Sequence, residues 1–173
     1  MVLLALPYGD EEVNRAAHDR ASDGHSFSLA HPLEVELAER LCDLIPCAEM
    51  VRFGKNGNDV TTAAVRLARH YTNKDHILFC GYHGWQDWYV CKTSMNGGIP
   101  KVISKYSHRF NYNDIESLNK LFDEFKNKVA CVIMEPISKE VQKKGFLNKV
   151  KKITHKNNAL LIYDEVVTGF RFS

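Results

Sequence analysis

Val129-Ala130-Cys131-Val132-Ile133-Met134 is a six-residue run without a polar side chain, and it stops at Glu135-Pro136. A strand with one wet face alternates apolar and polar residues. An unbroken apolar run of this length reads as a strand buried on both faces, as in a parallel sheet flanked by helices. The same grammar repeats outward. Downstream, 146–157 has helical spacing and leads into Ala159-Leu160-Leu161-Ile162-Tyr163, a second buried run ending in Asp164-Glu165-Val166. Upstream, Asn113 and Glu116 form a capping-box pattern for a helix carrying Ile115, Leu118, Leu121, Phe122 and Phe125. Lys101 to Ser104 reads as a further strand, and His76-Ile77-Leu78-Phe79-Cys80 as a buried one closed by Gly81-Tyr82-His83-Gly84. Before it, a helix with Val60, Ala63, Ala64, Leu67, Ala68 and Tyr71 inward is entered through Gly54-Lys55-Asn56-Gly57-Asn58-Asp59. A short strand from Glu49 to Phe53 precedes that turn. Two more helices lie ahead of it: 10–23, with Val13, Ala16, Ala17 and Ala21 on one face, and one from Pro32 to Pro46 with Leu33, Leu37, Leu41, Leu44 and Ile45. The fold class is α/β, a mainly parallel sheet with helices on both faces. There is no internal repeat, low-complexity tract or obvious linker.

Composition removes several classes. The chain is 45% apolar and 25% charged with a net charge of +2, which argues against disorder. The longest apolar opening, Val2 to Leu6, is too short for a membrane span and lacks the flanks of a signal peptide, so a soluble, cytoplasmic chain is expected. Five cysteines form no CxxC pair and no zinc pattern, and are read as reduced thiols. Residues 1–90 hold 8 basic and 13 acidic side chains, whereas 91–173 hold 15 and 8. Much of the basic excess lies between Lys139 and Lys156 without a nucleic-acid recognition motif, so it reads as a solvated helix face and no nucleic-acid partner is expected.

In a parallel sheet, ligands bind beyond the carboxyl ends of the strands. The 54–59 turn, Tyr82-His83-Gly84, Glu135-Pro136 and Asp164-Glu165-Val166 all fall at such ends. The 54–59 turn opens a helix, where free N–H groups and the dipole favour an anion. It is neither a Walker A loop nor a dinucleotide GxGxxG, and an ordinary Asn/Asp-capped helix start competes with a phosphate cradle. Asp59 would repel a phosphate unless it points away or binds backbone. Asp164, at the end of a buried strand, is either a cap or structural ion pair or the counter-charge of a cationic ligand group. Tyr82 is either a turn tyrosine or a stacking face; His83 is either a structural turn histidine or an acid–base group. A phosphate cradle, a stacking aromatic and a buried acid together suit a planar, phosphorylated, protonated heteroaromatic such as pyridoxal 5′-phosphate.

Phe53 to Asp59 running into Ala64-Val65-Arg66-Leu67-Ala68-Arg69 resembles the phosphate-binding segment of the class III aminotransferases. Gly81-Tyr82-His83-Gly84-Trp85 and Asp164 to Arg171 resemble two further blocks of that family, in the same order and across nearly the whole chain. The resemblance is strongest to the glutamate-1-semialdehyde 2,1-aminomutase branch and its aminotransferase cousins. It implies the fold type I pyridoxal-phosphate transferase architecture and a cofactor site at a homodimer interface. It also implies transfer of an amino group between a small-molecule amine donor and a carbonyl acceptor through aldimine and ketimine intermediates. By position, Gly57 and Asn58 would hold the phosphate, Tyr82 and Val166 would cover the two ring faces, Asp164 would pair with the pyridine nitrogen, and Glu135 would lie near the reacting centre. The family usually has Ser or Thr where this chain has Asn58, which implies a weakened phosphate contact. The family's Schiff-base lysine lies beyond the Asp-Glu-Val block and matches no lysine of these 173 residues. The expectation is therefore an incomplete large domain over 1–173, without the family's amino-terminal segment, later strands and small carboxyl-terminal domain. A non-catalytic relative that binds pyridoxal phosphate weakly, or serves as an interaction module, is the alternative, and a nucleotide-binding Rossmann-like domain a weaker one.

Overall fold

The structure is a computed structural model describing residues 9–171. It divides into two compact units, the first ending at Phe53 and the second beginning at Gly54. The first contains two helices. Helix α1 (Glu11–Ala21) starts where the Asp10 carboxylate accepts a hydrogen bond from Val13 N at 3.0 Å. Helix α2 (Pro32–Leu44) has proline at its first position, and the His31 ring accepts from Leu33 N at 3.2 Å. The expected apolar stripes form, but neither helix has a buried residue. Glu49 to Phe53 is not a strand. Local pattern offers an extended segment only half of what a strand needs, because its N–H and C=O groups require a neighbouring chain.

The second unit is built on a four-stranded parallel sheet of β1 (His76–Cys80), β2 (Ser107–Arg109), β3 (Val129–Met134) and β4 (Leu160–Tyr163), in the order β2-β1-β3-β4. Phe79 lies opposite Ile133, and Ile133 opposite Ile162. Strand side chains alternate between faces, and so the two apolar runs feed two separate cores. On one face Leu78, Cys80, Val132 and Met134 pack with Leu118 and Phe122 of α5 (Ile115–Glu124) and with Phe146 and Val150 of α6 (Phe146–Lys156). On the other, Ile77, Phe79, Cys131 and Ile133 meet Val65 and Ala68 of α3 (Gly57–Thr72) and Trp88 and Tyr89 of the short α4 (Asp87–Val90). Every residue of β3 is buried, as its unbroken apolar run requires.

Four local expectations are corrected, the first being that 159–163 is buried throughout: at the edge of the sheet, Leu160, Leu161 and Ile162 of β4 are half-buried and Tyr163 is exposed. Residues 101–104 are not a strand. The chain turns there through a 3-10 segment, Ile103–Tyr106, with Ile103 N donating to Pro100 O at 3.0 Å, and β2 begins only at Ser107. Two apolar residues after a proline are too few to fix an extended segment. Helix α5 is capped by Asp114, whose carboxylate accepts from Ser117 N at 3.0 Å, while Asn113 sits before it at φ 61°. The polar cluster 111–117 contains several capping choices, and tertiary context selects among them. In α3 the buried residues are Thr61, Val65 and Ala68, whereas Leu67 is 65% and Tyr71 76% exposed. Small side chains let α3 approach the sheet closely, and the larger apolar residues point away from it.

Candidate functional site

Loops from three strand ends and one helix start meet beyond the carboxyl edge of the sheet, within the second unit. Strands β1 and β4 flank β3, so the segments that follow them can meet above its end. Asp164 N donates to Met134 O at 2.9 Å, continuing the β3–β4 pairing, and the carboxylate that follows is 8% exposed. Its Oδ2 lies 2.7 Å from His83 Nδ1, and its Oδ1 accepts from Val166 N at 3.1 Å. His83 is buried, and its Nε2 lies 3.1 Å from the Cys80 carbonyl oxygen. A carbonyl only accepts, so Nε2 carries a hydrogen. A proton shared across the Nδ1–Oδ2 contact then joins the two side chains as a buried, hydrogen-bonded His–Asp pair. This answers the cost of burying Asp164: it is both paired and hydrogen-bonded. One lone pair on Oδ1 remains for a ligand donor.

The start of α3 supplies the opposite character. Asp59 N and Val60 N turn back to Asn56 O, leaving Gly57 N and Asn58 N without a protein acceptor among the described residues. The Asp59 carboxylate accepts from Asn56 N at 3.2 Å and Asn56 Nδ2 at 3.3 Å, so its charge is engaged in the cap. Asn58 Oδ1 accepts from Trp85 N at 3.1 Å, and Thr61 Oγ1 donates to Asn58 O at 3.2 Å. Tyr82, 64% exposed, is held by its own backbone: Tyr82 N donates to Glu135 Oε2 at 2.9 Å, and its ring meets Tyr89 edge-on at 5.7 Å. Tyr89 in turn donates from its hydroxyl to Gly81 O at 3.1 Å.

Glycine is demanded at three junctions of the site. A methyl group on Gly57 would lie 2.7 Å from Val166 Cγ1, and one on Gly81 would lie 2.5 Å from Glu135 Oε2. One on Gly84, which sits at φ 98°, would overlap the Asn58 side chain. Each glycine thus marks a close approach between two of the sequence-nominated segments. Gly57, Asn58, Tyr82, Glu135, Asp164 and Val166 are brought together as one cluster. The Cys80 thiol behind it is pushed by burial up to about 11, so it stays neutral and takes no nucleophilic part. Among the described residues no cluster of three metal-ligating side chains occurs.

The sequence reading missed the pairing of His83 with Asp164 and the part of Thr61 and Thr168. The Thr168 hydroxyl is buried beside the Asp-Glu-Val segment with no partner among the described residues. A usable signal existed for His83 alone. An imidazole flanked by glycines at one strand end and an isolated acid at another are each hard to bury, and each solves the other's problem.

The geometry defines a class before any comparison: a parallel α/β domain with anion-seeking amides and a buried acid at the carboxyl ends of its strands. Residues 3–173 match the family "Aminotransferase class-III". The chain is 40% identical to the glutamate-1-semialdehyde 2,1-aminomutase of Thermosipho melanesiensis, over 98% of this chain and 44% of that protein. It is 38% identical to the 3-aminobutyryl-CoA aminotransferase of Cloacimonas acidaminovorans, over 98% of this chain and 42% of that protein. Among solved structures, the pyridoxal-phosphate internal aldimine form of the Sphingopyxis sp. MTA144 FumI protein aligns over 95% of this chain and 41% of its own, with a TM-score of 0.86 and 28% identity. The protein belongs to the class III aminotransferase family, and the chain spans less than half the length of these relatives. No described helix is long and apolar enough to cross a membrane.

Proposed function

We propose that this chain forms the pyridoxal 5′-phosphate-binding part of an enzyme that moves an amino group between a small-molecule amine and a carbonyl compound, as an aminotransferase or aminomutase. The observation that carries the reading is the buried His83–Asp164 pair facing a glycine-cradled helix start within one cluster. The donor set fits the group: two free backbone amides for a phosphate, an aromatic and an aliphatic side chain for the two faces of a ring, and an anionic oxygen for a ring N–H.

When bound, pyridoxal 5′-phosphate supplies a protonated pyridine ring that draws electrons from the substrate carbon. The chain's own residues bind and orient. Gly57 N and Asn58 N take the phosphate, aided by the α3 dipole. Tyr82 stacks on one ring face and Val166 packs on the other. Asp164 would accept from the ring N–H, and His83, 2.7 Å away, fixes the position of that carboxylate. Glu135 acts near the reacting centre by anchoring the Tyr82 backbone. The Schiff-base lysine that the family resemblance calls for has no counterpart among these 173 residues, so these roles are binding roles. The exposed Tyr82 and Trp85 support completion of the site by a second copy in a homodimer.

Titration of the purified chain with pyridoxal 5′-phosphate and with pyridoxal, followed by calorimetry, tests the reading. Saturable binding that prefers the phosphate ester by tenfold or more supports it. Equal or absent binding of the two overturns it.

A further inference from the structure

The Asn58 side chain holds an unusual position in the cluster. Its Oδ1 accepts from Trp85 N at 3.1 Å, and because a backbone N–H only donates, the oxygen rather than the nitrogen must face the loop. That fixes the carboxamide's orientation. Its Nδ2 then carries two hydrogens with no protein acceptor among the described residues, on the second residue of α3, the helix whose first two amides are free. The backbone of Asn58 is also held, since Thr61 Oγ1 donates to its carbonyl. On the other side, Gly84 at φ 98° leaves the space that the Asn58 side chain fills, so the loop Tyr82-His83-Gly84-Trp85 is shaped to receive it.

We propose that Asn58 is a positioning residue that couples phosphate recognition to the stacking loop: its Nδ2 donates to the phosphoester while its Oδ1 holds the Trp85 amide and, through it, the loop that presents Tyr82. The inference rests on the pyridoxal-phosphate reading and adds to it a two-ended link specific to an amide. A serine or threonine hydroxyl at this position sits one bond nearer the backbone, which leaves the Trp85 N–H beyond hydrogen-bond reach at the present spacing. Such a side chain serves the phosphate alone. With asparagine, the phosphate contact and the loop contact come from one rigid planar group, so filling the cradle stiffens the stacking loop.

The test uses the whole chain, pyridoxine 5′-phosphate and pyridoxine as probes, and two variants. Neither probe carries an aldehyde, so no adduct with surface lysines confuses the readout. Asn58→Asp keeps an oxygen for Trp85 N and adds an acid in the first turn of a helix, where the dipole accommodates it. It replaces the phosphate donor by a repelling anion. Calorimetry is expected to show a loss of at least about tenfold in affinity for pyridoxine 5′-phosphate, the size of a lost charge-assisted hydrogen bond, and no change for pyridoxine. Asn58→Ser is expected to stay within about threefold of the parent for the phosphate ester while the Trp85 amide loses its hydrogen-exchange protection. Asn58→Asp binding the phosphate ester within twofold of the parent, or unchanged Trp85 protection in Asn58→Ser, overturns the inference and leaves the cofactor reading standing. A parent chain that fails to bind the phosphate ester at all overturns both.

Discussion

Replacing Asp164 by asparagine removes a charge while keeping the shape of the group, and replacing His83 by leucine removes the partner instead. The two changes should be unequal. In Asp164→Asn the remaining oxygen still accepts from Val166 N, and the new amide N–H₂ faces His83 Nδ1. His83 can then keep its hydrogen on Nε2, where the Cys80 carbonyl needs it, and accept at Nδ1. Every hydrogen bond survives, and the cost should be about 1 kcal/mol. In His83→Leu the buried Asp164 carboxylate keeps Val166 N as its one partner among the described residues, and the Cys80 carbonyl keeps only the longer bond from Glu135 N at 3.3 Å. Breaking a buried pair in this way costs about 3–5 kcal/mol, a large share of the ~5–15 kcal/mol typical of a domain. Urea unfolding at pH 7, followed by tryptophan fluorescence, measures both. Binding should invert the order of interest: Asp164→Asn folds but loses at least about tenfold in affinity for pyridoxine 5′-phosphate, because no anion faces the ring nitrogen. Equal destabilisation by the two variants would refute the reading of His83 and Asp164 as a mutually dependent buried pair.

Other expectations test the frame around the site. Val65→Ala should cost about 2 kcal/mol and Leu67→Ala no more than about 0.5 kcal/mol, since Val65 is buried and Leu67 is 65% exposed; chemical denaturation of each decides which face of α3 packs. At the amino end of the sheet, His76 Nδ1 lies 2.9 Å from His108 Nε2, and burial holds His108 down to about 4. The unfolded chain then binds a proton that the folded chain refuses, so stability is full above about pH 6.5 and falls as pH drops towards 4. A His108→Asn variant should flatten the pH dependence of urea midpoints across that window. Burial pushes the Cys131 thiol up to about 12 and Cys80 to about 11, so a thiol reagent should modify the exposed Cys47 first and Cys80 and Cys131 only on unfolding, as mass spectrometry of timed aliquots would show.

The sheet was legible because its evidence is local: six apolar residues at 129–134 can hardly be placed except between two helical layers. The strand ends were legible for the same reason, since Asp164 and Gly81 punctuate runs that need stopping. What local pattern did not carry is partnership. Glu49 to Phe53 has a strand's composition but no neighbour among the described residues, and Leu67 and Tyr71 have a core's composition but point away from the sheet. Asn58 was legible as a departure from the Ser or Thr usual in the family. Its second contact, to Trp85, spans 27 positions and depends on the fold bringing Gly84 alongside. The His83–Asp164 pair spans 81 positions, and only the parallel order of β1, β3 and β4 sets the two loops together.

In the proposed site one ligand's phosphate sits on the first turn of α3 while its ring lies between Tyr82 and Val166, against Asp164. Backbone amide spectra of the chain titrated with pyridoxal 5′-phosphate test it most directly. The account requires saturable shifts of the Gly57 and Asn58 amides with the phosphate ester and not with pyridoxal, accompanied by the Tyr82 and Val166 amides. Shifts confined to other parts of the chain, or Gly57 and Asn58 amides indifferent to the phosphate, would contradict it.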